Sequence, residues 1–269
     1  MTDRRFLAAG RALDGEARGL LECAFLRAAP GGARDRQLLI GDRFEVLEAA
    51  DGFAFGVSVK DGYVGYLPLA TLGAHVAPTH WVSALLTRLW PSPSIKSEPI
   101  SFLPMTARVR VLKQTEGWFE VEVPGATGFV PAGHLRALGD WAESVVATAR
   151  AFLGTPYVWA GNEPSGIDCS GLVQVAFHSC GFACPPDSDL QAGMEGQALG
   201  VDDALRAGDL VFWKGHVAIA TGDGTLVHAN AYHMAVVEES IEVAVARIAA
   251  SDTGPVTLRL RHDWATLGG

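Results

Sequence analysis

Apolar residues recur with two different periods along the chain, and the change falls near Gly139. Before it they alternate. Phe44 and Val46, Val109 and Val111, then Phe119, Val121 and Val123 stand at every second position, the period of half-buried β-strands. After it Trp141, Val145, Ala149 and Phe152 follow helical spacing, which predicts a helix over residues 141–153 that Gly154-Thr-Pro156 stops. A second helix is predicted from about Cys169 through Leu172, Val173, Val175, Ala176 and Phe177 to Gly181. From Asp209 onward the pattern returns to strands, over residues 210–213, 216–220, 225–229, 235–237 and 256–260, with Gly222-Asp-Gly224 as a hairpin signal. Helices first and antiparallel strands afterwards define an α+β layout. Ahead of all this, residues 4–23 are rich in Ala, Leu, Arg and Glu and predict a helix.

The β-rich half repeats itself. Gly41-Asp-Arg-Phe-Glu-Val-Leu-Glu-Ala-Ala-Asp-Gly-Phe53 returns as Thr106-Ala-Arg-Val-Arg-Val-Leu-Lys-Gln-Thr-Glu-Gly-Trp118, 65 residues on. Gly65-Tyr-Leu-Pro-Leu-Ala-Thr-Leu72 returns as Gly128-Phe-Val-Pro-Ala-Gly-His-Leu135, 63 residues on, so the intervening hairpin is shorter by two. Asp61-Gly62 and Pro124-Gly125 sit where tight turns belong. The division that follows is a helical segment at 1–25, two small β-barrel modules at 26–75 and 76–138, and an α+β domain at 139–269. A single irregular β domain in place of two modules is the alternative. Residues 90–99 hold too much proline for a helix or a central strand and read as an extended loop.

Composition narrows the field. Lys and Arg number 21 against 30 Asp and Glu, a formal charge of −9, which excludes the basic footprint that nucleic acid requires. Hydrophobic residues at 49% and charged ones at 19% supply a core and argue against disorder. No run reaches the ~18–20 apolar residues of a membrane span. Arg11, Asp14, Glu16 and Arg18 interrupt any signal-peptide core, so the expected compartment is the cytoplasm. There the four cysteines are expected to be free thiols, each needing an explanation as core, ligand or nucleophile.

Cys169 is the one whose surroundings carry chemistry. It stands in Ser165-Gly-Ile-Asp-Cys-Ser-Gly171, a polar turn opening an apolar helix. The unpaired first-turn N–H groups and the helix dipole there favour a thiolate, so the thiol is expected to ionise more readily than a free one. The same N–H groups can hold an oxyanion. A thiol nucleophile needs a base, and the base an orienting group. His216 and His228 flank the Gly222-Asp-Gly224 turn at equal distance from residue 222, so the pattern predicts that they face each other across a hairpin. A metal site is the competing use of cysteine and histidine. Cys180 and Cys184 with His178 lack a second ligand pair at zinc-site spacing, and neither a metal nor any other cofactor is expected. Cys23, Cys180 and Cys184 read as core filler.

These residues resemble a known family. Gly154-Thr-Pro-Tyr-Val-Trp-Ala-Gly161, Asp168-Cys-Ser-Gly171, Gly208-Asp-Leu-Val-Phe-Trp213, Gly215-His-Val-Ala-Ile219 and Val227-His-Ala229 are similar, in order and spacing, to the NlpC-type cysteine peptidases of bacterial cell-wall peptides. The upstream repeats resemble bacterial SH3-like modules. The resemblance implies a papain-like α+β domain preceded by two small SH3-like β-barrels. It makes Cys169 the nucleophile, His216 the base and His228 the orienting third member, with Tyr157 beside the oxyanion. Asp168 and Ser170 match positions that hold the amino terminus and D-glutamate of a murein peptide. Ser188, in Asp187-Ser-Asp-Leu-Gln191, matches a further substrate position in a motif that usually opens with arginine, where this chain has Pro186. Ala160 stands where glycine is common. Asp35 and Tyr63 fall nearest an acidic residue and a tyrosine that the first SH3-like module contributes to the groove.

The implied activity is hydrolysis of the γ-D-glutamyl–diamino acid bond in murein tripeptides or tetrapeptides with a free N-terminal L-alanine, in cell-wall peptide recycling. The sequence does not fix the diamino acid, diaminopimelate or lysine, or the oligomeric state. Two rival readings remain. A papain-like acyl or lipid hydrolase would keep Cys169 and His216 but need an apolar groove, and a non-catalytic wall-binding protein would use the SH3-like modules alone.

Overall fold

The computed structural model describes Asp3, Arg5 and residues 15–263. The chain falls into two compact units, Met1–Asp140 and Trp141–Gly269.

The first unit is all β. It opens with β1 (Glu16–Leu20), β2 (Ala24–Arg27), β3 (Arg34–Leu38), β4 (Arg43–Ala50), β5 (Phe53–Ser58), β6 (Val64–Pro68) and β7 (Leu72–Ala74). These form one antiparallel sheet in the order β3-β2-β6-β5-β4-β1-β7. The helix expected over residues 4–23 is therefore not what its described part forms. Glu16–Leu20 pairs with β4 on one side and β7 on the other, and two ladders of tertiary hydrogen bonds override the local helical preference. Leu20, Leu26, Leu38, Phe44, Ala54, Tyr63 and Leu67 make the core of this sheet.

A second set follows: β8 (His80–Val82), β9 (Leu86–Leu89), β10 (Ser101–Pro104), β11 (Arg108–Thr115), β12 (Trp118–Val123), β13 (Ala126–Pro131) and β14 (Leu135–Ala137). Strands β4 and β11 start and end 65 residues apart, and each carries a bulge at the same place, after Val46 and after Val111. The 3₁₀ turns Leu69–Thr71 and Ala132–His134 and the strands that follow them are 63 residues apart. Ile40 belongs to the second core, with Val82, Leu89, Val109, Val121 and Val130. Gly41 makes this junction possible. Its φ is +85°, and a Cβ there would stand 2.1 Å from the Arg108 carbonyl oxygen.

The second unit opens with helix α1 (Val145–Ala151). The predicted start at Trp141 is early by one turn, because the Ser144 hydroxyl caps the helix by accepting the Ala147 N–H at 3.1 Å. A two-strand ribbon, β15 (Asn162–Glu163) with β16 (Gly166–Ile167), leads into helix α2 (Cys169–Ser179) and the single turn α3 (Ser188–Gln191). The six-stranded sheet comprises β17 (Gln197–Ala198), β18 (Leu210–Trp213), β19 (His216–Ala220), β20 (Thr225–Asn230), β21 (Ala235–Ser240) and β22 (Leu258–Arg261). Its order is β17-β22-β18-β19-β20-β21, antiparallel throughout.

The segment Ile241–Ala249, which the sequence reading left among strands, is a helix, α4. Its Val-Ala-Val run alternates like a strand, but Ile241, Ala244, Val245 and Ile248 share one helical face. That face packs on Val211, Trp213, Ala218 and Leu226. Helices α1 and α2 pack against β19 and β20, where the alternating Val217, Ile219 and Val227 are fully buried. The reactive residues thus stand on a sheet held on both faces.

Candidate active site

Cys169 is the first residue of α2, and Asp168 is its N-cap. One carboxylate oxygen of Asp168 accepts the Gly171 N–H at 2.7 Å and the Ser170 hydroxyl at 2.9 Å. The other accepts the Ala160 N–H at 2.8 Å. Ala160 reaches that position with φ at +64°, in the left-handed region where a glycine would be unstrained. The backbone N–H groups of Val217 and Ser170 lie close enough to the Cys169 sulfur to favour its ionised form. Val217 directly follows His216, so the helix start and the first residue of β19 meet at the sulfur.

The expectation of a readily ionised thiol is reversed. Cys169 is 6% exposed, and burial pushes its pKa up to about 12, with the Asp168 carboxylate adding to the shift. The N–H groups at Val217, Ser170 and Cys169 itself pull the other way and do not offset the lost hydration.

The two histidines meet, but not as direct partners. Ile219 pairs with Val227 and Ala220 with Leu226. Continued, that register puts Asn230 opposite His216, with His228 on the diagonal. The turn centres on Asp223, one residue later than equal spacing about Gly222 implies, because Thr221 N–H bonds the Thr225 carbonyl and closes a three-residue loop. The diagonal suffices: His216 Nε2 lies 2.8 Å from His228 Nδ1.

Beyond His228 the chain of contacts continues. His228 Nε2 lies 2.7 Å from Glu239 Oε1, and Glu239 is ion-paired with Arg247 of α4. An ionised carboxylate held by a guanidinium can only accept, so His228 carries its proton on Nε2. The Asn230 amide nitrogen, 3.0 Å from the same ring atom, loses that competition to the carboxylate; the Asn230 Oδ1 is spent on the His233 N–H at 2.8 Å. His228 Nδ1 then accepts from His216 Nε2–H, which leaves the Nδ1 lone pair of His216 unprotonated. Burial lowers both imidazole pKa values to about 3; the charge of His228 and then of Arg247 adds to the shift at His216, and Arg247 and then His233 at His228, while Glu239 raises that of His216. His228 is 0% exposed. A neutral thiol at the start of α2 is thus accompanied by a neutral, oriented imidazole at the start of β19.

Glu239 and Arg247 were not among the residues singled out from the sequence. The signal was Glu239 itself, an acidic residue two positions after Val237 on the same strand face. It became readable only once β20 and β21 are in register, with His228 opposite Val237.

Tyr157 donates its N–H to the Met234 carbonyl at 2.9 Å and lines, with His216, a cavity of about 400 Å³. Burial raises its phenol pKa, so the hydroxyl remains a donor. Ser188 starts α3 and is half-buried. The anchor that Pro186 in the arginine's place put in question is Gln191, fully buried, whose amide donates to the Ser170 carbonyl at 3.0 Å and the Pro185 carbonyl at 2.9 Å. Asp35 lies on β3 and Tyr63 is a buried core residue beside β6, both within the first unit. Their place beside a substrate is an inference of the resemblance alone. Cys180 and Cys184 are buried, and no group of three or more His, Cys, Asp or Glu among the described residues is placed to hold a metal.

A buried thiol opening a helix and a hydrogen-bonded imidazole pair on an antiparallel sheet stand together on an α+β fold. Comparison with known proteins makes the class specific. Residues 154–247 match the NlpC/P60 family, and residues 26–72 match the bacterial dipeptidyl-peptidase Sh3 domain. The chain carries an NlpC/P60 domain behind a bacterial SH3-type domain. It is 40% identical over 88 residues to dipeptidyl-peptidase 6 of Lysinibacillus sphaericus, a stretch covering 33% of this chain and 32% of that protein. It is 29% identical over 183 residues to the gamma-D-glutamyl-L-lysine dipeptidyl-peptidase of Bacillus subtilis, covering 62% of this chain and 60% of that one. The chain thus spans about a third of the length of the first relative. In fold it is similar to an NlpC/P60 family protein from Bacillus cereus, with a TM-score of 0.75 at 19% identity over 91% of this chain and 99% of the other. No helix among the described residues is long and apolar enough to cross a membrane.

Proposed function

We propose that the chain is a cysteine endopeptidase that hydrolyses the γ-D-glutamyl–diamino acid bond of murein peptides with a free N-terminal L-alanine, in the recycling of cell-wall peptides in the cytoplasm. The observation that carries this reading is the hydrogen-bonded line from Glu239 through His228 to His216, ending where the Cys169 sulfur meets the strand. A wall-binding surface has no use for a buried imidazole pair with its tautomers fixed. The names of the relatives support the bond type, and Asp168 and Ser170 beside the sulfur support a polar acyl group over a lipid.

In this reading the thiol gives its proton to His216 Nδ1 as the sulfur bonds the γ-carbonyl carbon of D-glutamate. Tyr157 and the first-turn N–H groups of α2 hold the oxyanion. His216 passes the proton to the scissile nitrogen, the C–N bond breaks, and the diamino acid leaves. Water then loses a proton to His216 while its oxygen bonds the acyl carbon; the C–S bond breaks and the sulfur recovers its proton. His228 and Glu239 keep the imidazole in the tautomer that both half-reactions need.

The test is mass spectrometry of L-Ala-γ-D-Glu-diaminopimelate and its N-acetylated form after incubation with the protein. The free peptide is expected to yield the dipeptide and the diamino acid, and the acetylated one to survive. Equal cleavage of both rejects the requirement for a free terminus, and cleavage of neither rejects the activity.

A further inference from the structure

The proton that His216 delivers goes to the leaving nitrogen, so the residue that departs must extend from His216 away from the Asp168 and Ser170 flank of the sulfur. His216 lines the cavity of about 400 Å³, which neither Asp168 nor Ser170 lines and which is bounded further by Tyr157, Asn230 from the sheet, Tyr232 from the loop after β20, Arg247 from α4, and Ser251 and Thr253 just beyond α4. Of the described residues lining it, Arg247 carries the only fixed charge.

Arg247 is held in place but not used up. Its guanidinium lies over the Tyr232 ring at 4.5 Å from the centroid, and one terminal nitrogen pairs with Glu239. Nη1 has no hydrogen-bond partner among the described residues, and Nε is buried without one. Glu239 pairs with this cation from behind and does not line the cavity, so the guanidinium and not the carboxylate is what a ligand there meets. A guanidinium fixed on an aromatic ring, with Nη1 left to donate, is a carboxylate receptor. An ammonium entering the same space would meet a like charge and no acidic partner.

We infer, on the basis of the function proposed above, that this cavity is the subsite for the departing residue and that Arg247 reads a carboxylate on it. Two carboxylates have that chemistry: the terminal α-carboxylate of a tripeptide, and the second, side-chain carboxylate of diaminopimelate that lysine lacks. The subsite favours diaminopimelate over lysine in the second case, and a free over a blocked terminus in the first.

The experiment compares kcat/KM for four full substrates, L-Ala-γ-D-Glu-L-Lys and L-Ala-γ-D-Glu-diaminopimelate, each as free acid and as α-amide, with wild type, Arg247→Gln and Arg247→Lys. Because Arg247 also steadies Glu239, rates on all four are expected to fall in Arg247→Gln; the readout is the ratio between substrates within each enzyme. Wild type is expected to prefer the carboxylate-bearing member of at least one pair by about 10-fold or more, mainly through KM. That ratio is expected to approach one in Arg247→Gln and to be partly retained in Arg247→Lys. A shift in the acid-to-amide ratio alone assigns the terminal carboxylate, and a shift in the diaminopimelate-to-lysine ratio alone assigns the side chain. Ratios unmoved by Arg247→Gln, or a wild type indifferent within both pairs, overturn the subsite while leaving the activity standing. Failure of wild type on all four overturns the activity itself. If Arg247→Gln does not fold, Thr253→Glu supplies the reading: a carboxylate placed in the cavity is expected to move the preference toward lysine, and an unmoved preference overturns the proposal.

Discussion

At Cys169 two forces oppose each other. The first-turn N–H groups of α2 favour a thiolate, and burial at 6% exposure disfavours it; burial prevails, as the thiol pKa of about 12 records. His216, at about 3, is held neutral by the same cause. The reactive form is thus the neutral pair, which exists between the two values. The acid limb of kcat/KM is accordingly expected well below the ordinary imidazole value of ~6.5, with a plateau across neutrality; an acid limb at or above 6.5 in a pH-rate profile contradicts a buried neutral base. The depressed histidines also contribute stability that is present above ~6.5 and lost as pH falls toward 3. Glu239 acts one imidazole away from the base. Glu239→Gln preserves an acceptor for His228 and is expected to lower kcat by about 10-fold. Glu239→Ala removes it and is expected to cost about 10²–10³-fold, within the range of general-base contributions. Equal, small effects of both substitutions on kcat would remove Glu239 from the proton path.

Helix α3 is too short to hold itself in place, and its register on the site depends on one side chain. The Gln191 amide bridges the Ser170 and Pro185 carbonyls, so Gln191→Leu removes both bonds and leaves the Pro185 carbonyl with only the weak Cys184 thiol donor, while the Ser170 carbonyl keeps its partner within α2. The expected cost is about 1–3 kcal/mol in all, seen as a fall in the denaturation midpoint, with KM raised because the Ser170 carbonyl belongs to the first turn of α2. An unchanged midpoint would mean that water replaces the amide. At this scale the sequence was informative where local rules decide. The α2 start follows from Asp168 before an apolar run, and the strands β18 to β20 follow from short apolar runs separated by glycine turns. It failed where partners far along the chain decide. Glu16–Leu20 becomes β1 because β4 and β7 offer it ladders, and Ile241–Ala249 becomes α4 because the sheet offers one face for Ile241, Ala244 and Ile248. The hairpin register missed by one residue for the same kind of reason. The Thr221–Thr225 closure that sets it has no sequence pattern as strong as the paired glycines around it.

Across the whole molecule, one β unit and one α+β unit each carry their own core, and every group of the proposed reaction lies in the second. Cys169, His216 and His228 could be singled out in the sequence because each has a local cause, a position behind a helix cap, at a strand start or in the facing strand of a hairpin. The carboxylate and guanidinium behind them were not, since β21 and α4 bring them in only through the fold. That assembly makes one claim above the rest, that sulfur 169 becomes covalently acylated during turnover. Acid-quenching a mixture of protein and L-Ala-γ-D-Glu-diaminopimelate, then mapping the digested protein by mass spectrometry, tests it. The account predicts an adduct on the peptide containing Cys169, of the mass of the Ala-Glu dipeptide less one water, and none in Cys169→Ala. Turnover that persists in Cys169→Ala, or an adduct on another residue, would contradict it.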